Sequence, residues 1–306
     1  MGTPSFAVPS LKILLENNYE IASVVTAPDK KKGRGQNISY SEVKEFTLKN
    51  NLKILQPEKL KEKKFLDEIL SLSPELIIVV AFRILPKEIF TIPKYGSFNL
   101  HASLLPKYRG AAPINWALIN GEKETGVTSF FLQEKVDTGN IILQKKIQID
   151  DNDNAGTLHD KLSQLGAEAV LETVKLIKNG NIEPSVQDDC LASPAPKIFK
   201  EDCIITWNKD ATMIINFIRG LSPYPTSFTY LENKSVKIYK AKVTNIPSNN
   251  LPGKILIKDK QLFTATKDFL IEIIEMQFEG RKRMNASDFI NGLEKNKELR
   301  FSSHLQ

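Results

Sequence analysis

Asn99 and His101 sit two residues apart in the apolar run Phe98-Asn-Leu-His101. Alternate side chains of an extended strand share a face, so this spacing points the carboxamide and the imidazole the same way. Asp137 follows the next long apolar stretch, in Val136-Asp-Thr-Gly139, where a glycine turn can present a carboxylate. An amide, an imidazole and a carboxylate can supply a hydrogen-bond donor, an acid/base and its orienting partner. Ligands of open α/β sheets lie outside the carboxyl ends of the strands, and both motifs fall there if these runs are strands. A satisfied core histidine and a turn-forming aspartate fit the same pattern, and spacing alone leaves both readings open.

The elements that must position these residues alternate between strand and helix patterns over residues 1–180, which predicts a mostly parallel sheet covered by helices. Leu11–Leu15 reads as helical and Ile21–Thr26 as a strand. Leu76–Val80 is a continuous apolar run of buried-strand type, and Ser97–His101 and Val127–Leu132 are further short strands. The clearest helix is Thr157–Lys178, with Thr157 as the expected cap, Leu158, Leu162, Leu165 and Ala169 at helical spacing, and Gly180 at its end. Asp188–Lys200 is rich in proline and small residues and reads as a linker. It divides the sequence into an expected domain 1–187, a linker 188–200 and a domain 201–306. The second domain begins with a short helix, Ala211–Arg219. Five short β segments follow: Ser227–Leu231, Val236–Val243, Lys254–Ile257, Gln261–Ala265 and Phe269–Met276. Turn pairs Glu232-Asn233 and Lys258-Asp259 separate some of them, a pattern that suggests a small barrel of OB type.

With 306 residues, 41% hydrophobic and 25% charged, the composition is that of a soluble globular protein. No apolar run approaches the roughly 20 residues that span a bilayer, and Met1-Gly-Thr-Pro has no signal-peptide pattern. Cys190 and Cys203 are too few for a disulfide framework and lack metal spacing, so they read as thiols of a reducing compartment, by default the cytoplasm. His159 sits one position off the stripe of the long helix, and His304 lies near the C-terminus. No metal site is expected. Net charge is +6. Residues 1–200 carry 26 basic and 24 acidic side chains and the remainder 16 and 12, an excess concentrated in the second domain that suits a polyanionic partner.

The loop after His101 runs Ala102-Ser-Leu-Leu-Pro106, then Lys-Tyr-Arg-Gly-Ala-Ala-Pro113, and can bring backbone close to a planar ligand. Together with the Asp137-Thr-Gly139 block, it resembles the formyltetrahydrofolate-dependent formyltransferases. The resemblance begins at GTPSFAVP and includes APDKKKGRG (27–35), AGTLHDKLSQLGAEAV (155–170) and FIRGLSPYP in the second domain. The GRG loop and the Trp207…Arg219-Gly-Leu…Pro223-Tyr-Pro225 block resemble the branch that acts on initiator methionyl-tRNA. The resemblance implies an α/β fold: a Rossmann-like N-terminal formyltransferase domain with a C-terminal OB-like β-barrel domain. It implies Asn99, His101 and Asp137 as the catalytic trio and Ser103, Leu104, Leu105 and Pro106 as the folate-binding loop. It also implies 10-formyltetrahydrofolate as donor, with no metal, and initiator methionyl-tRNA as partner of a cytoplasmic monomer. Arg34 is the residue that this resemblance directs to the tRNA acceptor arm, with Lys30, Lys31 and Lys32 as phosphate contacts. Lys237, Lys240, Lys242, Arg281, Lys282 and Arg283 are weaker candidates of the same kind.

The pattern departs from the family in two places. The family carries a hydrophobic first strand before its Gly-Thr-Pro block, and here the sequence begins at Met1-Gly2, so the expectation is a start placed several residues late. Arg83 stands in Ala81-Phe-Arg-Ile-Leu-Pro86 where many relatives have glycine, so it either touches the donor or lies on the surface. Two other functions compete: formylation of a nucleotide-sugar amine or another small amine, which does not need the basic loop, and tRNA binding without catalysis.

Overall fold

Ser97–His101 is an inner strand of a four-stranded sheet. On one side it pairs in parallel with Ile77–Val80, Val79 opposite Asn99. On the other it pairs antiparallel with Glu124–Phe131, which sets Thr128 opposite His101, and that strand pairs antiparallel with Ile141–Gln148. These four strands are therefore mixed in direction. The last two are joined only by residues 132–140, too short for the crossover of about a dozen or more residues that a parallel pair needs.

The computed structural model describes residues 1–32, 37–292 and 298–304. The chain divides into two units, Met1–Pro113 with Glu124–Gln148 and His159–Ala195, and Ile114–Lys123 with Ile149–Leu158 and Pro196–Gln306. Both are discontinuous in sequence.

In the first unit, the strand expected over Ile21–Thr26 narrows to Val24–Val25, parallel to Ile54–Leu55. Met1 and Gly2 lie between it and Ile77–Val80: Gly2 donates to the Val25 carbonyl, Val80 to that of Met1, and the Met1 amine to Ile78 at 2.6 Å. Burial pushes that amine down to about 5. Beside these two residues is a cavity of roughly 490 Å³ lined by Leu14, Ile21, Leu76, Ile77, Val174 and Ile177, among others. The helix Lys63–Leu72 buries Phe65 and Ile69, one turn apart, against Val25, Leu55 and Ile89. The long helix runs Ala155–Lys178. Asn154 caps it in place of Thr157: its Oδ1 accepts from Gly156 and Thr157 backbone N–H, while the Thr157 hydroxyl donates to Asp153. Leu158, Leu162 and Ala169 are fully buried, and Gly180 follows at φ +70°, as a helix-ending glycine does.

In the second unit, Ala211–Leu221 presents Ile214 and Ile218 to a core with Trp207, Ile238, Ile271, Ile273 and Phe301. The strands Ser227–Leu231, Lys234–Pro247, Phe269–Phe278, Gln261–Ala265 and Ile255–Lys258 pair antiparallel in that order, with Met284–Asn285 beside Phe269–Phe278. Glu232-Asn233 and Asp259-Lys260 take positive φ at both positions, the turn that matches strand twist in a two-residue hairpin. Register shifts around Lys240 bend the long strand. Residues 299–302 join the two ends of the sheet, with Lys254 opposite Arg300 and Tyr230 opposite Ser302, so the sheet closes as an OB-like barrel. Trp207 stacks on Phe301 at 5.3 Å and donates Nε1–H to the Thr229 hydroxyl. Both cysteines are free thiols; Cys190 is exposed and Cys203 buried, its thiol pushed up by burial. Among the described residues, no helix is long and apolar enough to cross a membrane.

Candidate active site

His101 ends its strand 6% exposed. Its Nε2 donates to the Tyr108 carbonyl at 2.8 Å, because a carbonyl can only accept. Tyr108 is itself at φ +61°, which turns its backbone back toward the strand end. The other ring nitrogen, Nδ1, lies 3.8 Å from Asp137 Oδ2, and both side chains are nearly enclosed. A backbone carbonyl therefore fixes the resting tautomer, a role that the sequence reading gives to Asp137. The ring nitrogen left without that bond is the one facing the carboxylate.

Asp137 reaches this position by an indirect route. The strand before it is antiparallel to Ser97–His101, so its carboxyl end lies beside Phe98 rather than beside His101. The strand-end argument serves His101 only, and the 132–140 turn brings Asp137 back. Asp137 stands at φ +55°, and its Oδ2 accepts from Gly110 N–H at 2.9 Å. Gly110 belongs to a short strand, Arg109–Gly110, parallel to Pro194–Ala195; it is at φ +127° with the Ala195 carbonyl 2.6 Å from where a Cβ would stand, so the two strands approach this closely only with glycine there. Asn99 is half-buried, two residues before His101, and its carboxamide has no hydrogen-bond partner among the described residues. It is the free donor of the group.

Ser103–Pro106 continues directly from the strand and is held by three side chains, Thr128 making two of the bonds. The Thr128 hydroxyl donates to the Ser103 carbonyl at 2.7 Å and accepts from Leu105 N–H at 3.1 Å and Gln144 Nε2 at 2.9 Å. Gln144 also donates to the Leu105 carbonyl, and Ser103 Oγ closes the loop onto Lys107. Ser103 and Leu105 are buried, while Leu104 and Pro106 are partly open. Thr128, Gln144, Arg109 and Gln187 escape a sequence reading of the site. A buried threonine among apolar strand residues is a visible signal for the first, whereas Gln187 lies just before the expected linker and gives none.

Of the basic candidates, Lys30–Lys32 pairs antiparallel with Asn37–Ser39, and Arg34 lies outside the described residues. In the barrel, Lys242 is paired with Glu272 and Arg283 with Glu275, so these two are already neutralised. Arg281 lies over the Phe278 ring, and Lys237, Lys240 and Lys282 are exposed. Arg83 donates to the carbonyls of Pro57 and Glu58, so its guanidinium ties two loops together. His159 pairs with Asp160 and packs on Phe6. Among the described residues, no three His, Cys, Asp or Glu side chains gather as a metal site.

The family model described as formyl transferase matches residues 1–174, and that of the formyl transferase C-terminal domain matches 197–294. The chain belongs to the formyl transferase family. It is 49% identical over 298 residues to the methionyl-tRNA formyltransferase of Flavobacterium johnsoniae, covering 96% of this chain and 95% of the relative. It is 48% identical to that of Caldanaerobacter subterraneus subsp. tengcongensis, covering 95% of each. Among solved formyltransferases, a sugar 3N-formyl transferase, WlaRD, with dTDP and 5-N-formyl-THF matches at TM-score 0.69 and 27% identity over 92% of this chain and 97% of that one. An N-formyltransferase of Helicobacter canadensis with folinic acid and dTDP-3-aminofucose matches at TM-score 0.65 and 25% identity over 89% and 96%. A formyltransferase needs a donor aimed at a carbonyl oxygen and an acceptor for the amine proton, and Asn99 and the His101–Asp137 pair have that chemistry.

Proposed function

We infer that this formyltransferase moves the formyl group of 10-formyltetrahydrofolate to the free amino group of initiator methionyl-tRNA, giving N-formylmethionyl-tRNA for translation initiation. The observation that carries the reading is identity of 48–49% to methionyl-tRNA formyltransferases over nearly the whole of both chains. The folate-bound relatives and the secured loop at Ser103, Leu104, Leu105 and Pro106 support that loop as the donor's seat.

Asn99 Nδ2 donates to the formyl oxygen as charge develops on it, and its lack of another partner leaves both amide hydrogens available. A free α-amino group titrates at roughly 7.7–8.0, and the adjacent ester of an aminoacyl-tRNA lowers that, so neutral amine is at hand to attack. Asp137 accepts the proton that the amine loses, directly or by way of His101 Nδ1; the tetrahedral intermediate then collapses, the bond from its carbon to N10 breaks, and N10 takes a proton back from the same pair and leaves as tetrahydrofolate. While that proton rests on Nδ1, the imidazolium faces the Asp137 carboxylate and adds a charged donor. Arg34, Lys30, Lys31 and Lys32 are proposed to contact the tRNA acceptor arm, Arg34 for selection and the lysines for phosphate. The sugar-formylating relatives favour a second acceptor class, a nucleotide-sugar amine.

The deciding experiment offers 10-formyltetrahydrofolate with aminoacylated initiator tRNA or with a dTDP-amino sugar. Formylmethionyl product from the first alone is expected, and product from the sugar alone would overturn the reading. In the same assay Arg34→Ala weakens use of initiator tRNA without altering folate binding, and affinity for tRNA falls with added salt. Equal turnover by the variant sinks the loop assignment.

A further inference from the structure

Gln187 lies outside the 1–174 span that the family's amino-terminal model matches, yet its hydrogen-bonding capacity is committed to the Asp137 turn. It is 7% exposed. Nε2 donates to the carbonyl of Asp137 at 3.0 Å and to that of Gly139 at 2.8 Å, so one amide group spans the turn. Oε1 accepts from Arg109 Nε at 3.0 Å and Nη2 at 2.8 Å, and Arg109 Nη1 is anchored on Asp189 at 2.7 Å. Two N–H groups meet two carbonyls and the oxygen meets a guanidinium fork, so the carboxamide has only one orientation. Arg109 immediately precedes Gly110, whose N–H holds the Asp137 carboxylate. The same side chain thus fixes Asp137 twice, through its own carbonyl and through the strand that carries its hydrogen-bond donor. A non-glycine residue in the left-handed region persists only where its surroundings determine it, and here Gln187 supplies that determination.

We propose that Gln187 is a positioning residue for formyl transfer, holding Asp137 against His101 Nδ1. The proposal rests on the reading of Asp137 as proton acceptor. Displacing the carboxylate leaves both substrates' seats intact but spoils the proton transfer, so the loss belongs in kcat.

The test is a double-mutant cycle of Gln187→Leu and Asp137→Asn, with Gln187→Glu alongside. Rates are measured with 10-formyltetrahydrofolate and methionyl-tRNA across pH, and thermal melts report folding. Gln187→Leu is expected to lower kcat about 10- to 100-fold, with both KM values within about twofold, and to shift the kcat–pH profile. On the Asp137→Asn background the same substitution is expected to cost almost nothing more, since a residue acting through Asp137 has nothing left to act on. Gln187→Glu matches the parent in size and keeps Arg109 but cannot donate to two carbonyls. It is expected to show the same kcat loss and serves if the leucine variant does not fold. An equal fold-loss on both backgrounds, a rise in KM with kcat kept, or a parental kcat in Gln187→Glu each overturns the proposal. A parental rate in Asp137→Asn alone overturns it too, and locates the failure in the role given to Asp137 rather than in the clamp.

Discussion

Replacing Thr128 by valine keeps the shape of a fully buried side chain and removes one hydroxyl. In the parent that hydroxyl serves the Ser103 carbonyl, the Leu105 N–H and the Gln144 amide. Gln144 keeps the Leu105 carbonyl and is exposed enough to find water, so it loses little. The two backbone groups sit in residues that are 0% and 3% exposed and gain no substitute. At about 1–3 kcal/mol for each buried group left unpaired, the change costs about 2–6 kcal/mol. A unit of this size loses roughly 2–4 °C of melting temperature per kcal/mol, so the melt drops by roughly 4–24 °C. The loosened segment is the proposed folate seat, whereas Asn99 and the His101–Asp137 pair are held by other contacts. The KM for 10-formyltetrahydrofolate therefore rises while kcat at saturating donor stays within about threefold. Thermal melts with and without a folate analogue, and donor titrations at fixed tRNA, read both effects. A melt shifted by less than about 2 °C together with an unchanged donor KM would refute the reasoning.

Asn99→Ala is expected to lower kcat by about 10²–10³ without changing the melt, because the carboxamide holds nothing else; a destabilised variant with near-parental kcat contradicts its assignment as donor. Gly139→Ala puts a Cβ 1.7 Å from the Phe131 carbonyl, so the turn carrying Asp137 must shift, at a cost of about 3 kcal/mol measurable by urea unfolding. A parental midpoint would show that the turn yields freely. Burial raises the Asp268 carboxyl, but N–H groups of Ala211 and Phe269 and the Thr266 hydroxyl outweigh it and hold the group below its ordinary 3.8. A depressed carboxyl stabilises above its unfolded value and loses that contribution as pH falls through its folded one. Asp268→Asn should thus cost about 1 kcal/mol near neutrality and nothing in strong acid. A pH-independent difference between variant and parent would exclude the carboxylate as the cause.

Much of the barrel is legible in sequence because its turns are local chemistry. Glu232-Asn233 and Asp259-Lys260, the latter one residue beyond the expected Lys258-Asp259, bound strands whose expected limits, Ser227–Leu231 and Gln261–Ala265, match the structure. Its closure is not legible, because residues 299–302 form only isolated bridges to partners far away in sequence. In the first unit, apolar runs locate the strands but not their directions, and the antiparallel return at Glu124–Phe131 has no short hairpin signal. The helix cap, expected at Thr157, falls at Asn154, because Asp153-Asn-Ala-Gly-Thr157 offers three capping side chains in five residues. At the site, the spacing of Asn99 and His101 correctly indicates a shared strand. The partners of His101 are a different matter, since one is a backbone carbonyl, which any residue at 108 would supply.

The clamp on the Asp137 turn also sets an order in time. Asp137 lies fifty residues before the Gln187 side chain that holds its carbonyl. At synthesis rates of about 5–20 residues per second, that interval lasts about 3–10 s. During it, a growing chain that already contains Asn99, His101 and Asp137 has not made the glutamine that steadies the turn. A fragment ending at 174, where the family's amino-terminal match stops, stays in that unfinished condition permanently. The smallest piece that can hold the complete constellation extends through 187–195, where Gln187, Asp189 and the Ala195 strand complete it.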